Sequence, residues 1–194
     1  VPTPAAFYFD LASPEAYLAA ERILHVLPGP AEWRPVLTAM QKDVERPQIE
    51  RRAAELGLQP VRWPEPFPFD SSLAMRVATY AASIGRTVPF AQAAFRQAFA
   101  GGHSLTDPDF VLIAAAACEM HPAAVLRAAK LRSIAERLAA TSAEAKRAGA
   151  TEVPAVVVGE YRFVGADALE RAAAHMRGEL TESGATSATH GGAP

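Results

Sequence analysis

One cysteine, Cys118, is all the thiol that 194 residues carry. An intramolecular disulfide is excluded, and a Cys-x-x-Cys exchange motif with it. A reducing cytoplasm is the simplest compartment for such a chain. Long apolar runs are lacking too. None approaches the roughly 18 residues of a membrane span, and no charged-then-apolar leader opens the sequence. Val1 stands where an initiator methionine is expected, which reads as processing or omission of the first residues. Neither sign of charge dominates: the formal net charge is −2 and half the residues are hydrophobic. Disorder and nucleic-acid binding are therefore not implied. His25, His103, His121 and His175 are scattered without metal-ligand spacing, and His190 is expected in solvent. A glycine-rich phosphate loop, a Ser-His-Asp order and an acidic cation cluster are missing as well.

What is present begins at residues 5–11 (AAFYFDL), an apolar and aromatic run of strand length. Ala12-Ser13-Pro14 ends it, and Tyr17, Leu18, Ile23, Leu24 and Leu27 follow at helical spacing. Pro14 suits a first helical turn, which makes Ser13 the N-cap at the tip of a strand-to-helix turn. Unpaired backbone N–H groups there suit an anion, a thiolate included; for an isolated Ser-Pro, simple capping is the plainer reading. After Pro28-Gly29-Pro30, residues 31–37 (AEWRPVL) read as a second strand, and Pro35 puts it at an edge or a bend. Strand, helix and strand so close together fit a right-handed βαβ unit.

Residues 44–58 read as a charged helix stopped by Gly57. Residues 59–70 (QPVRWPEPFPFD) hold four prolines among three aromatics and must be an extended loop. Helices are expected at 71–84, 89–100, 108–119, 122–129 and 131–147, with Asp107-Pro108 and Ser133 as helix starts and His121-Pro122 as a structural break. Residues 155–158 (AVVV) and 161–164 (YRFV) form a hairpin about Gly159-Glu160, and a last helix covers 168–177. Residues 178–194 are expected to be disordered. The fold class is α/β: a thioredoxin-like βαβ…ββα sheet from residues 1–43 and 149–177, with an all-helical insertion at 44–148 stacked beside it.

Four stretches carry a resemblance: FYFDLASPEAYLA from Phe7, WRPVL from Trp33, FPFDSSLAMR from Phe67, and EVPAVVVGEYRFVGADALE from Glu152. Together they resemble the 2-hydroxychromene-2-carboxylate isomerase family, the kappa-class glutathione transferases and the wider DsbA-like group. In the redox branch the turn carries Cys-x-x-Cys; here it reads Ser13, Pro14, Glu15, Ala16. Cys118, in an Ala-rich helix, reads as a small core residue. The resemblance therefore implies the branch in which serine faces the sulfur of bound glutathione. Lowering a thiol pKa by two units takes about 2.7 kcal/mol, within reach of a charge-assisted hydrogen bond plus a helix terminus. The implied activity is cis–trans isomerisation of a conjugated aromatic carboxylate by reversible thiolate addition, as in aromatic degradation. A kappa-like transferase or peroxidase is the alternative, and a catalytically silent binding protein of the same fold is another.

By the same resemblance Ser13 is the catalytic residue, and the Val153-Pro154 bond is cis and presents backbone groups to glutathione. Gly165, Ala166 and Asp167 would hold the γ-glutamyl end, although Asp167 equally suits a helix N-cap. Asp70, a further candidate for the glutathione site, stands where relatives carry Asn, and a carboxylate there would repel the glycine end of glutathione or an acidic substrate unless paired, with Arg76 or Arg62. Lys42 is a candidate for the substrate carboxylate, or a solvated surface lysine. Trp63 and Phe67 are candidates to wall the substrate pocket, or simply pack the loop. No metal, membrane or nucleic acid is expected, and kappa-class relatives imply a homodimer.

Overall fold

The computed structural model describes residues 4–40, 43–179 and 186–187. Strand β1 (Ala5–Phe9) runs into helix α1 (Pro14–Ala20), a short helix α2 (Ile23–Val26) and strand β2 (Ala31–Pro35). The expected single helix after β1 is thus two: the chain breaks at Glu21-Arg22, where Arg22 N–H turns back to Ala19 C=O at 3.1 Å. β2 lies parallel to β1, with Ala5 opposite Ala31 and Phe9 opposite Pro35. Pro35 closes an edge strand, where its missing N–H disrupts no central ladder.

The helical block holds α3 (Arg46–Glu55), α4 (Ser72–Ser83), α5 (Thr87–Phe95), a π-helical turn (Arg96–Ala100), α6 (Pro108–Ala116), α7 (Pro122–Ala129) and α8 (Arg132–Arg147). α5 starts two residues ahead of Pro89, which sits in its first turn, where a missing N–H costs nothing. Asp107 caps α6 by accepting from Asp109 N–H at 2.9 Å, and His121 caps α7 through Nδ1 at 3.2 Å from Ala123 N. Ser133 is not a helix start: α8 begins at Arg132 behind Leu131, with no side-chain cap.

Strands β3 (Ala155–Val158) and β4 (Tyr161–Val164) form the hairpin, with Gly159 at φ +60°, a conformation glycine adopts without cost. β3 runs antiparallel to β1, and α9 (Ala168–Met176) covers β3 and β4. A two-residue strand β5 (Thr186–Ser187) adds to β4, giving the order β2-β1-β3-β4-β5. Most of the stretch 178–194 lies outside the described residues. The sheet is the expected one: a parallel pair, then an antiparallel hairpin, then a covering helix.

β1 sends alternate side chains to two faces. Phe7 and Phe9 meet Trp33 at ring distances of 5.0 and 5.8 Å, and Phe9 reaches Phe95 of the insertion. Tyr8 points the other way, toward Val36, Ala145 and Val153. One continuous core joins the β1–β2 sheet to α4, α5 and α6, so the insertion shares its apolar interior with the sheet.

Candidate active-site corner

Ser13 sits at φ −92°, ψ 115° in front of α1, and its Oγ accepts from Ala16 N at 3.2 Å. The same hydroxyl donates to Val153 C=O at 3.4 Å, at the weak end of hydrogen bonding. The Val153-Pro154 peptide is cis, as expected, and Pro154 C=O accepts from Gly165 N at 3.0 Å. The turn, the proline and the start of the last helix are thereby brought together from positions 13, 153 and 165. Ser13 is 2% exposed, yet it lines a recess of about 120 Å³ with Ala12, Thr38, Met40, Phe69 and Asp70.

Asp10 forms the back of this recess and is also 2% exposed. Its carboxylate accepts from Ala12 N at 3.0 Å, Thr38 N at 2.8 Å and Thr38 Oγ1 at 3.0 Å. Burial raises its pKa, against the lowering pull of those bonds and of Ser71. Leu37 N–H donates to Ser142 Oγ at 3.0 Å and Val36 N–H to Phe9 C=O at 3.0 Å. Three successive residues after β2 are thus pinned, which fixes the wall of the recess.

A wider groove of about 510 Å³ continues past Pro14 and Glu15 to Glu152 and Val153. Two backbone donors on its lining, Glu15 N–H and Val153 N–H, have no acceptor among the described hydrogen bonds. Asp43, Glu45, Glu15 and Glu152 make the lining acidic. Burial raises the Glu15 pKa most, and the Glu152 and Asp167 carboxylates push it further up. The groove runs on, through Glu15, Gln48 and Ile49, into a hollow of about 210 Å³ lined by Arg52, Ala166 and Asp167.

Asp167 does not cap α9 with its side chain; its carboxylate accepts from Arg52 Nη2 at 3.1 Å. Asp70 lines the recess, but neither Arg76 nor Arg62 pairs with it. It accepts from the Ser72 hydroxyl and from Ser72 N–H at 2.9 Å, and those two bonds hold its pKa low. Arg76 instead donates to Ala129 C=O at 3.3 Å. Trp63 and Phe67 are not among the residues lining the recess or the groove. They pack on each other at 5.0 Å and on Phe99, under the Arg46 guanidinium, while Trp63 Nε1 donates to Glu50. Lys42 lies outside the described residues. Cys118 is buried, its thiol donating to Ala114 C=O and its pKa raised by burial. Among the described residues no group of three or more His, Cys, Asp or Glu is placed to hold a metal.

Sequence reasoning passed over Asp10, Thr38, Glu15 and Arg52. For Asp10 a signal existed: a carboxylate inside the apolar run FYFDL must be either paired or functional. Arg52 carried none, being one of several charges on a solvated helix.

A mixed sheet with a proline bond facing a helix cap, and helices inserted between its two halves, defines a thioredoxin-fold protein. The chain belongs to the DSBA-like thioredoxin domain family, which it matches over residues 6–177. It is similar in structure to 2-hydroxychromene-2-carboxylate isomerase (TM-score 0.71, 16% identity, 84% of this chain and 89% of that one). A probable DsbA oxidoreductase from Streptomyces coelicolor superimposes at TM-score 0.73 with 21% identity, over 92% of each chain. The cytosolic disulfide reductase DsbM from Pseudomonas aeruginosa, solved with GSH, matches at 0.65 with 13% identity, over 90% of this chain and 96% of that one. At these identities the likeness is one of fold. Comparison with curated protein sequences finds no significant match. No helix among the described residues is long and apolar enough to cross a membrane.

Proposed function

We propose that the corner binds glutathione, that Ser13 holds its sulfur, and that the protein is a glutathione-dependent cis–trans isomerase of a conjugated aromatic carboxylate. The observation that carries this reading is the 3.4 Å bond from Ser13 Oγ to Val153 C=O, beside two unengaged backbone donors. So long a bond is readily exchanged: the hydroxyl turns its proton to a sulfur anion while its lone pair still caps Ala16 N–H. Glu15 N–H, a first-turn donor with no helical partner, supplies a second hydrogen bond at the same place. Val153 N–H pairs with an extended peptide backbone laid along the groove, as an unpaired strand edge does.

The residues beyond fit the rest of the tripeptide. Asp167 takes an ammonium, and Arg52 with Gln48 takes a carboxylate, in the hollow shared with Ala166. Bound glutathione supplies the thiolate nucleophile, for reversible addition to a conjugated double bond, that this chain's own side chains lack. The protein's part is to fix the sulfur against Ser13 and to wall the reacting face with Met40, Phe69 and Asp70. A cytoplasmic homodimer belongs to the same reading and is checked by sedimentation.

The test is a titration with glutathione near neutral pH, followed in the ultraviolet. A thiolate band is expected with the wild-type chain and is expected to vanish in Ser13→Ala. A second reading, capture of a peptide without chemistry, is favoured by the burial of Ser13 and the acidic groove. It predicts no thiolate band in either protein.

A further inference from the structure

The recess at Ser13 adjoins two grooves of opposite charge. On one side lies the acidic groove of Glu15, Asp43, Glu45 and Glu152. On the other, across Leu37 and Ser72, which line both spaces, lies a second groove of about 370 Å³ between α4 and α8. Its floor is apolar, made by Leu37, Leu138 and Ala139, and its charged groups are Arg76 and Lys146, both cations. Neither takes part in an ion pair among the described residues. Arg76 gives one N–H to Ala129 C=O, and Glu144, an acid near in sequence, is engaged by Arg34. Leu37 is 39% exposed, a large apolar side chain turned outward at the junction.

We infer that this second groove is the anion-accepting subsite for the other substrate: a small planar organic carboxylate whose body lies on Leu37, Leu138 and Ala139 and whose carboxylate meets Arg76 and Lys146. The volume suits one small molecule, near the lower end of ligand sites. Charge sets the direction of entry: a carboxylate that carries no ammonium of its own, unlike glutathione, is repelled from the groove holding four carboxylates and attracted to the one holding two unpaired cations. The end away from the carboxylate then points over Leu37 and Ser72 toward Ser13. The role of that end rests on the glutathione reading above; the carboxylate site itself does not.

The experiment is an amide NMR titration of the full chain, without glutathione, using trans-cinnamate as probe and uncharged trans-cinnamamide as control. Expected are saturable shifts at Leu37, Ser72, Ala139 and Ser142, with cinnamate bound at least about fivefold more tightly than the amide. Lys146 is exposed, so Lys146→Glu leaves the fold intact. It is expected to weaken cinnamate about tenfold and leave the amide unchanged. Arg76→Lys should bind cinnamate better than Arg76→Gln. Equal binding of acid and amide, indifference to Lys146→Glu, absence of saturable binding, or shifts confined to residues 151–153 would each overturn the assignment. Cinnamate binding without a glutathione thiolate band removes only the glutathione reading. The band without cinnamate binding removes only this subsite.

Discussion

Asp10 and Thr38, 28 positions apart, are joined twice: the Thr38 N–H and hydroxyl both donate to Asp10 Oδ2, at 2.8 and 3.0 Å. This pairing ties the end of the first strand to the wall of the Ser13 recess. It also gives the corner a buried group that titrates. Burial holds the Asp10 carboxyl above its ordinary range, so the folded chain keeps this proton more tightly than the unfolded chain. Stability is therefore expected to fall as pH rises from the unfolded carboxylate value through the folded one. Urea denaturation between about pH 4 and about pH 7 measures it. In Asp10→Asn this contribution should disappear; an unchanged pH profile would remove Asp10 as its source.

Ser13 has a structural duty separate from any chemistry. Its Oγ is the acceptor for Ala16 N–H at the start of α1. Ser13→Ala should cost about 1 kcal/mol of stability, whereas Ser13→Thr should keep most of it. Equilibrium unfolding separates this loss from the effect on a thiolate band.

Glu15 is expected to control how the groove receives anions. Burial and the Glu152 and Asp167 carboxylates raise its pKa, so it is neutralised sooner than an ordinary glutamate as pH falls. S-methylglutathione, which has no thiol to titrate, should bind more tightly as pH drops from about 7 toward about 5. Glu15→Gln should bind it more tightly at neutral pH and flatten that dependence. Calorimetry reads both, and a wild-type affinity that ignores pH would count against the groove as its site.

Phe99 is fully buried, with the rings of Tyr17, Trp63, Phe67 and Phe69 within 6.5 Å. Phe99→Ala should cost about 3–5 kcal/mol and shift Trp63 fluorescence. Trp63→Phe should cost less, since Trp63 is only half-buried and its loss empties less of the core.

Cys118 should resist a thiol reagent in the folded state. Its thiol is buried, donates to Ala114 C=O, and has a raised pKa. Labelling should follow unfolding in urea rather than precede it.

The order of strands was legible because the signals were local and strong. AVVV, Gly159-Glu160 and YRFV together leave little but a hairpin, and Pro35 marks β2 as an edge. Ser13 as the helix cap and the cis bond before Pro154 were legible too, the first from Ser-Pro spacing and the second from resemblance. The break at Glu21-Arg22 was not; Arg22 there pairs with Glu170, 148 positions away, a contact that no local pattern announces. Trp63 and Phe67 pack on Phe99 and line neither the recess nor the groove; in sequence an aromatic loop reads the same whether it walls a pocket or packs on a core ring. Asp70 looked in need of an arginine, but a serine two positions on serves it. Sequence names the groups that need partners; the partners are chosen by the fold.

The five-residue π-helical turn at Arg96–Ala100 carries a consequence for how the chain tolerates change. Phe99 C=O, among the last carbonyls of that helix and so without a helical partner, accepts from Arg62 N at 2.7 Å, which anchors the proline-rich loop. The wider turn takes up one residue more than an α-helical turn would, so losing a single residue there would restore ordinary winding and leave the flanking turns facing as they do now. In the α-helical stretch just before it the same loss would turn everything beyond by about 100°. The chain can shorten at the one place and not at the other.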